Sequence, residues 1–258
     1  MYTQNRRKFI TTAITGVLAA SASVSSLKTL ARSENSIKAI AFDAFVIFNT
    51  QPVFTVAEKL FPGRGTQLTA LWKTKQFEYM WLRTVGSRYK NFWAITQDGL
   101  TYAANELQLS LSDDAKNQLM NSWLALSVWP DVIPAFEKLK QKGVRIFVLS
   151  NATPTMLDAC VRHSGINGYF EYLLSTDSVS TFKPDPVAYQ IGMDTLKLRR
   201  SEILFAAHAG WDAAGAKWFG YPVYWVNRQN TPAEGLDISL DGAGANLNGL
   251  VEFVNGSL

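Results

Sequence analysis

The stretch Ile37-Lys38-Ala39-Ile40-Ala41-Phe42-Asp43-Ala44-Phe45-Val46-Ile47-Phe48 decides the reading of this chain. Short, mostly apolar and rich in β-branched and aromatic residues, it predicts a strand buried in a sheet that is covered on both faces. Asp43 interrupts the run. A carboxylate there is costly unless paired, and in open α/β sheets the carboxyl ends of the strands are where ligands bind. Position alone leaves two roles for Asp43. It is a nucleophile whose partners come from later strands, or it is a helix N-cap or turn residue.

Downstream, Thr50-Gln51-Pro52 breaks the pattern. Helices are expected over Val53–Leu60, ended by Pro62-Gly63, and over Gln67–Arg88, Phe92–Leu107 and Asp113–Leu124, the last with Ser112 as N-cap. No strand pattern occurs between Thr50 and Pro130, so a helical cap is expected over residues 51–129. From Pro130 helices and strands alternate. Helices are predicted over Val132–Lys142, Thr153–Ser164, Pro186–Leu196 and Ala213–Phe219, and strands over Val144–Leu149, Tyr172–Leu174, Ile203–Ala207 and Val223–Val226. That order implies a parallel sheet with right-handed crossovers, its core made of residues 36–50 and 130–258. Polar residues just after the strands should then converge on one edge: Asp43, Ser150-Asn151, the loop holding Lys183, and Trp211-Asp212. Asp241-Gly242-Ala243-Gly244-Ala245 is expected to be a surface loop.

A hydrophobic share of 47% against 18% charged residues indicates a globular chain. The formal charge of +4 comes from the first 31 residues, which hold Arg6, Arg7, Lys8 and Lys28 and no acid. The remaining basic residues equal the 21 acidic ones, so no basic surface calls for a nucleic-acid partner. Asn5-Arg6-Arg7-Lys8-Phe9-Ile10 precedes an apolar stretch, Ala13–Ala22, with small-residue sites at Ala20-Ser21-Ala22 and Thr29-Leu30-Ala31. This resembles a twin-arginine export signal over residues 1–31. The resemblance implies an export machinery as partner, folding in the cytoplasm and a periplasmic destination. The single Cys160 agrees with it, since one cysteine forms no internal disulfide, and its helical setting predicts packing.

Phe42-Asp43-Ala44-Phe45, Leu149-Ser150-Asn151, Phe182-Lys183-Pro184-Asp185 and Trp211-Asp212-Ala213-Ala214-Gly215-Ala216 follow one another in the order of the four motifs of the haloacid dehalogenase superfamily, which the chain resembles. Within the cap, Phe61-Pro62-Gly63-Arg64-Gly65, Leu71-Trp72-Lys73-Thr74-Lys75-Gln76-Phe77-Glu78-Tyr79 and Trp81-Leu82-Arg83 resemble the L-2-haloacid dehalogenase branch. The resemblance implies a Rossmann-like α/β core with a helical cap, and displacement of halide from carbon two of an (S)-2-haloacid through an aspartyl ester. Asp43 would attack, and Lys183 would hold it ionised. Ser150, with backbone N–H groups at Ala44 and Phe45, would bind the substrate carboxylate. Asn151 and Lys73 would receive the halide, and Asp212 would position or activate the hydrolytic water. Tyr189 and Trp211 would approach the substrate.

Two rival functions are weighed beside this one. A phosphatase needs an acid two residues after the nucleophile to protonate a leaving alkoxide, and that residue is Phe45. Asp212 followed by Ala213, Ala214 and Gly215 is a poor magnesium cage, so neither metal nor other cofactor is expected. The other rival is an exported carboxylate-binding protein that has lost the reaction. It is motivated by Ile47, Ala207 and Ala209, where relatives commonly carry Thr, Ser and Asn; relatives also commonly have Gly at the place of Val46 and Arg at that of Lys73. Each such change removes a hydrogen bond or a planar fork, which predicts low activity on short haloacids or a different substrate. His208 stands in the resulting gap, either as a replacement donor or as a structural histidine bonded to backbone. His163 near a helix end is favourably placed against the dipole. The tryptophans other than Trp211 and Trp72 fit core or cap packing, or a contact in a homodimer.

Overall fold

The structure of the protein, a computed structural model, describes residues 36–257, and the export signal expected over residues 1–31 lies outside them. β1 (Ala39–Phe42) is central in a six-stranded, all-parallel sheet. Its companions are β2 (Arg145–Ser150), β3 (Tyr172–Ser175), β4 (Ile203–Ala207), β5 (Val223–Val226) and β6 (Gly242–Gly244), in the order β3-β2-β1-β4-β5-β6. The alternation of side chains divides the core between two faces. Ile40 and Phe42 pack on one face with Leu204 and Ala206, and Ala39 and Ala41 on the other with Ile203 and Phe205. The order reverses at β1, which lies between β2 and β4. That is the switch point at which α/β sheets open a crevice.

The opening strand is shorter than expected. It was expected to run to Phe48, but it ends at Phe42 because Asp43 turns the chain into a four-residue helix, α1 (Ala44–Ile47). Asp43 Oδ2 accepts from the Phe45 N–H at 3.1 Å, so the side chain competes with the ladder for the backbone. Its N–H still donates to the Ala206 carbonyl at 3.0 Å.

The chain then leaves the core and returns at one point. Asn49 N–H donates to Ser127 O at 2.8 Å and Trp129 N–H to Ile47 O at 3.0 Å, around an antiparallel bridge between Phe48 and Val128. Between those points lie α2 (Gln51–Leu60), α3 (Gly65–Val85), α4 (Phe92–Glu106) and α5 (Asp113–Ser122), and no named strand among the described residues. Ser112 caps α5 as expected, accepting from Ala115 N–H. α3 and α4 approach closely at Gly99, where a Cβ would stand 3.2 Å from the Gln76 nitrogen.

In the second half, α6 (Val132–Gln141), α7 (Pro154–His163), α8 (Pro186–Leu196) and α9 (Gly210–Phe219) alternate with the strands as read from the sequence. Gly220 ends α9 at φ 101°, a conformation that a side chain would strain. Two features near the C-terminus differ from expectation. The supposed loop at 241–245 contains the edge strand β6, and α10 (Leu247–Ser257) follows it. Gly-Ala-Gly has no β-branched signal. It forms a strand because Tyr224 lies over it, and a Cβ at Gly242 would meet the Tyr224 ring at 2.7 Å.

Candidate active site

Three of the four strand-end motifs meet at the Lys183 ammonium. Its nitrogen lies 2.9 Å from Asp43 Oδ1, 2.6 Å from Asp212 Oδ2 and 3.2 Å from the Leu149 carbonyl, which uses its three donors. Lys183 is 1% exposed and Asp212 2%, so these charges stand in a dry place and depend on each other. Burial pulls Lys183 down, but Asp212 and Asp43 outweigh it and hold the ammonium above its ordinary value. Burial pushes the Asp212 carboxyl up to about 6 against the pull of Lys183, with Asp43 adding to the rise. A cation shared by two carboxylates stays charged, so the proton gained on acidification goes to a carboxylate.

The cap reading of Asp43 holds, and the same carboxylate also meets Lys183 from the later part of the chain. Oδ2 caps α1 through the Phe45 N–H, and Oδ1 receives Lys183, so the carboxylate is aimed by its two oxygens separately. The Phe45 N–H is thereby engaged by Asp43 itself. Tyr189 stands behind the row and not in front of it. It is fully buried among Phe205, Phe219 and Tyr221, and its hydroxyl donates to Asp212 Oδ1 at 2.7 Å. Its hydroxyl, expected to approach the substrate, is bonded in this structure to Asp212.

At the end of β2, Ser150 Oγ accepts from Ala152 N–H at 3.1 Å, which leaves its own proton to donate. Asn151 is held at both ends. Oδ1 accepts from the Lys183 N–H at 2.9 Å and from Thr176 Oγ1 at 3.2 Å, and Nδ2 donates to the Met80 sulfur at 3.1 Å. A thioether is a weak acceptor, so this donor is the one an anion could claim.

Beside this row opens a cavity of about 520 Å³. Phe45, Lys73, His208 and Trp211 line it, whereas Asp43, Ala44, Ser150, Asn151, Lys183 and Asp212 are not in its walls. Asp43 itself is 7% exposed. Trp211 packs edge-on against Phe77 and Trp81, with centroids 5.6 Å away in each case. Lys73 is exposed, 6.0 Å over the Phe77 ring.

The changes noted in the sequence are filled in different ways. Ile47 and Ala207 are fully buried in apolar core, and Ala209 contributes to the cavity wall. His208 Nδ1 is buried without a protein partner among the described residues, so the side chain is not the backbone-bonded histidine that was one of the two expectations. Its ring is 6.4 Å edge-on from Phe45, and burial lowers its pKa against the opposing pull of Asp43. Cys160 is packed, donating to the Trp123 carbonyl, and burial raises its thiol.

Two residues of the site were missed. Met80 could not be found, since a thioether in a helix looks like core. Arg228 was discoverable, because it follows the end of β5 as the other motif residues follow theirs. Its guanidinium donates to the Val46 carbonyl at 3.0 Å, pairs with Asp131 at 3.1 Å and lies 4.8 Å over Trp129.

The comparisons agree with this geometry. An (S)-2-haloacid dehalogenase of Pseudomonas sp. (strain YL) is 38% identical over 218 residues, covering 84% of this chain and 94% of that protein. The haloacetate dehalogenase H-2 of Moraxella sp. (strain B) is 38% identical over 74% of this chain and 86% of its own. Among solved structures, the L-2-haloacid dehalogenase of Xanthobacter autotrophicus with chloropropionic acid covalently bound is 30% identical with a TM-score of 0.79, covering 85% of this chain and 99% of that one. A family model described as haloacid dehalogenase-like hydrolase matches residues 29–220. With its four motifs gathered at one edge of a parallel sheet, the chain belongs to the haloacid dehalogenase-like hydrolases.

Proposed function

We propose that this protein is an (S)-2-haloacid dehalogenase that yields (R)-2-hydroxyacids through an ester on Asp43. The observation that carries the reading is the buried row Asp43–Lys183–Asp212, with Phe45 in the place where a phosphatase keeps its acid. Asp43 attacks carbon two in line. The carbon–halogen bond breaks with its electron pair on the halide, and configuration inverts. Lys183 keeps the attacking oxygen ionised, while Ser150 offers its hydroxyl to the substrate carboxylate. The halide leaves as an anion, toward Asn151 Nδ2 and Lys73, and needs no proton. Water then attacks the ester carbonyl carbon and gives a proton to Asp212. The acyl C–O bond breaks, the hydroxyacid oxygen takes that proton from Asp212, and Asp43 returns as a carboxylate with its remaining proton lost to solvent.

Metal independence has a physical basis in the same row. The ammonium already lies between the two carboxylates that a divalent cation would need. The paired Arg6-Arg7 before Ala13–Ala22 supports export of the folded enzyme to the periplasm. Chloride release from (S)-2-chloropropionate and longer homologues, by wild type and Asp43→Asn, tests the activity. Wild-type release no faster than the mutant's across that series sinks the reading.

A further inference from the structure

We infer that the preferred substrates are 2-haloacids whose chain ends in an aryl ring or a group of similar bulk, rather than two- or three-carbon acids. This rests on the dehalogenase reading and names the substrate class of that same site. The first observation is size. A dry apolar cavity of about 150 Å³ accommodates benzene, and pockets of about 300–1,000 Å³ hold drug-sized ligands. 2-Chloropropionate has only as many non-hydrogen atoms as benzene, and bound against Asp43, which lies beside the cavity and not in its walls, it leaves the 520 Å³ there unfilled.

The second observation is the chemistry of the walls. Phe45 packs edge-on against Trp123 at 5.9 Å and Trp123 against Trp72 at 5.8 Å, so an aromatic surface begins two residues from Asp43 and extends under α3. Phe77, Trp81 and Trp211 form a second such surface, and Trp81 is 38% exposed where it reaches solvent. Aromatic faces and edges of this kind favour another ring over a water-filled gap.

Third, three of the polar side chains in these walls are engaged within the protein, although His208 Nδ1, in the same wall, is not. Trp72 Nε1 donates to the Thr96 carbonyl at 2.6 Å, Gln76 Nε2 to Thr96 Oγ1 at 2.6 Å, and Arg228 is paired with Asp131. Ala209 and Gly210 add wall without filling volume. The departures at this wall and the unused volume thus have one explanation, a substrate with a large apolar tail.

The test is kcat/KM for chloride release from (S)-2-chloro-3-phenylpropionate relative to (S)-2-chloropropionate, using the full chain. A buried methylene is worth about fourfold, so a buried ring predicts a ratio of about thirty or more. Ala233→Trp, at an exposed wall residue, should lower that ratio at least about fivefold by filling the tail site. A wild-type ratio of one or below overturns the inference alone, whether or not the variant folds. A variant whose Tm matches wild type but whose ratio is unchanged also overturns it. Absence of chloride release from both acids overturns the dehalogenase reading itself, and the inference with it.

Discussion

Lys183 stands closer to Asp212 than to Asp43, 2.6 Å against 2.9 Å, although Asp43 is the carboxylate proposed to attack. The tighter pair is also the more deeply buried one. In the proposed reaction the lysine is thus anchored by the residue it does not activate, and its longer bond is to the one that changes its bonding. Lys183→Met removes the anchor from two buried carboxylates. Breaking a buried pair by removing one partner costs about 3–5 kcal/mol, so a large drop in Tm should accompany a loss of kcat of about a hundredfold or more. Thermal unfolding and chloride release measure both, and a variant with wild-type kcat contradicts the assigned role.

In the proposed reaction Asp212, raised to about 6, should set the acid limb of the second half-reaction. As pH falls through that value the carboxylate takes a proton and no longer serves as base for water, whereas attack by Asp43 does not depend on it. The ester should therefore accumulate at about pH 5 and turn over at pH 8, which mass spectrometry of the quenched enzyme detects. Linkage has a definite sign here. Because the folded-state value lies above that of the unfolded chain, this group stabilises the fold below the ordinary carboxylate range, and that contribution is lost as pH rises to about 6.

Tyr189→Phe tests the hydroxyl behind that carboxylate. It leaves Asp212 Oδ1 buried without its 2.7 Å donor, at a cost of about 1–3 kcal/mol that should appear as a lower Tm. The lost bond favoured the ionised carboxylate, so the acid limb should also move to higher pH. A residue that only filled space would lower Tm without moving the pH profile.

Asn151 and Met80 give a paired prediction. Met80→Leu keeps the volume and removes the sulfur that accepts from Asn151 Nδ2, so stability should change by less than about 1.5 kcal/mol while the donor is freed for the departing halide. Steady-state kcat should hold or rise. Asn151→Asp removes the donor and sets a negative charge where the halide leaves, and kcat should fall by about a hundredfold. Equal losses in the two variants would contradict this division of labour.

Several elements could be read from the chain because their local chemistry agreed with their final place. Ile203–Ala207, Val223–Val226 and Pro186–Leu196 were read with the ranges that the structure gives them. Asp43 was legible as a polar interruption of an apolar run, whereas Lys183, in a loop, and Asp212, in the first turn of α9, were singled out by the order of the motifs. The end of β1 was not, since Ala44 to Phe48 is as apolar as the strand before it, and periodicity does not separate a short buried strand from a short buried helix. β6 carried no strand signal, because it depends on Tyr224 lying over its glycines. The size of the cavity depends on how the helices of residues 51–122 pack over the sheet, and no single residue records that.

Arg228 has a consequence for the order of events during synthesis. α1 is far too short to be stable by itself, and the guanidinium that receives its Val46 carbonyl lies 182 positions further along the chain. The lysine that pairs with Asp43 lies 140 positions away. Because β1 is central in the sheet, the earliest part of the core to leave the ribosome waits for strands on both sides and for both clamps. The surroundings proposed to make Asp43 reactive are thus complete only when the last third of the sequence has folded onto the first.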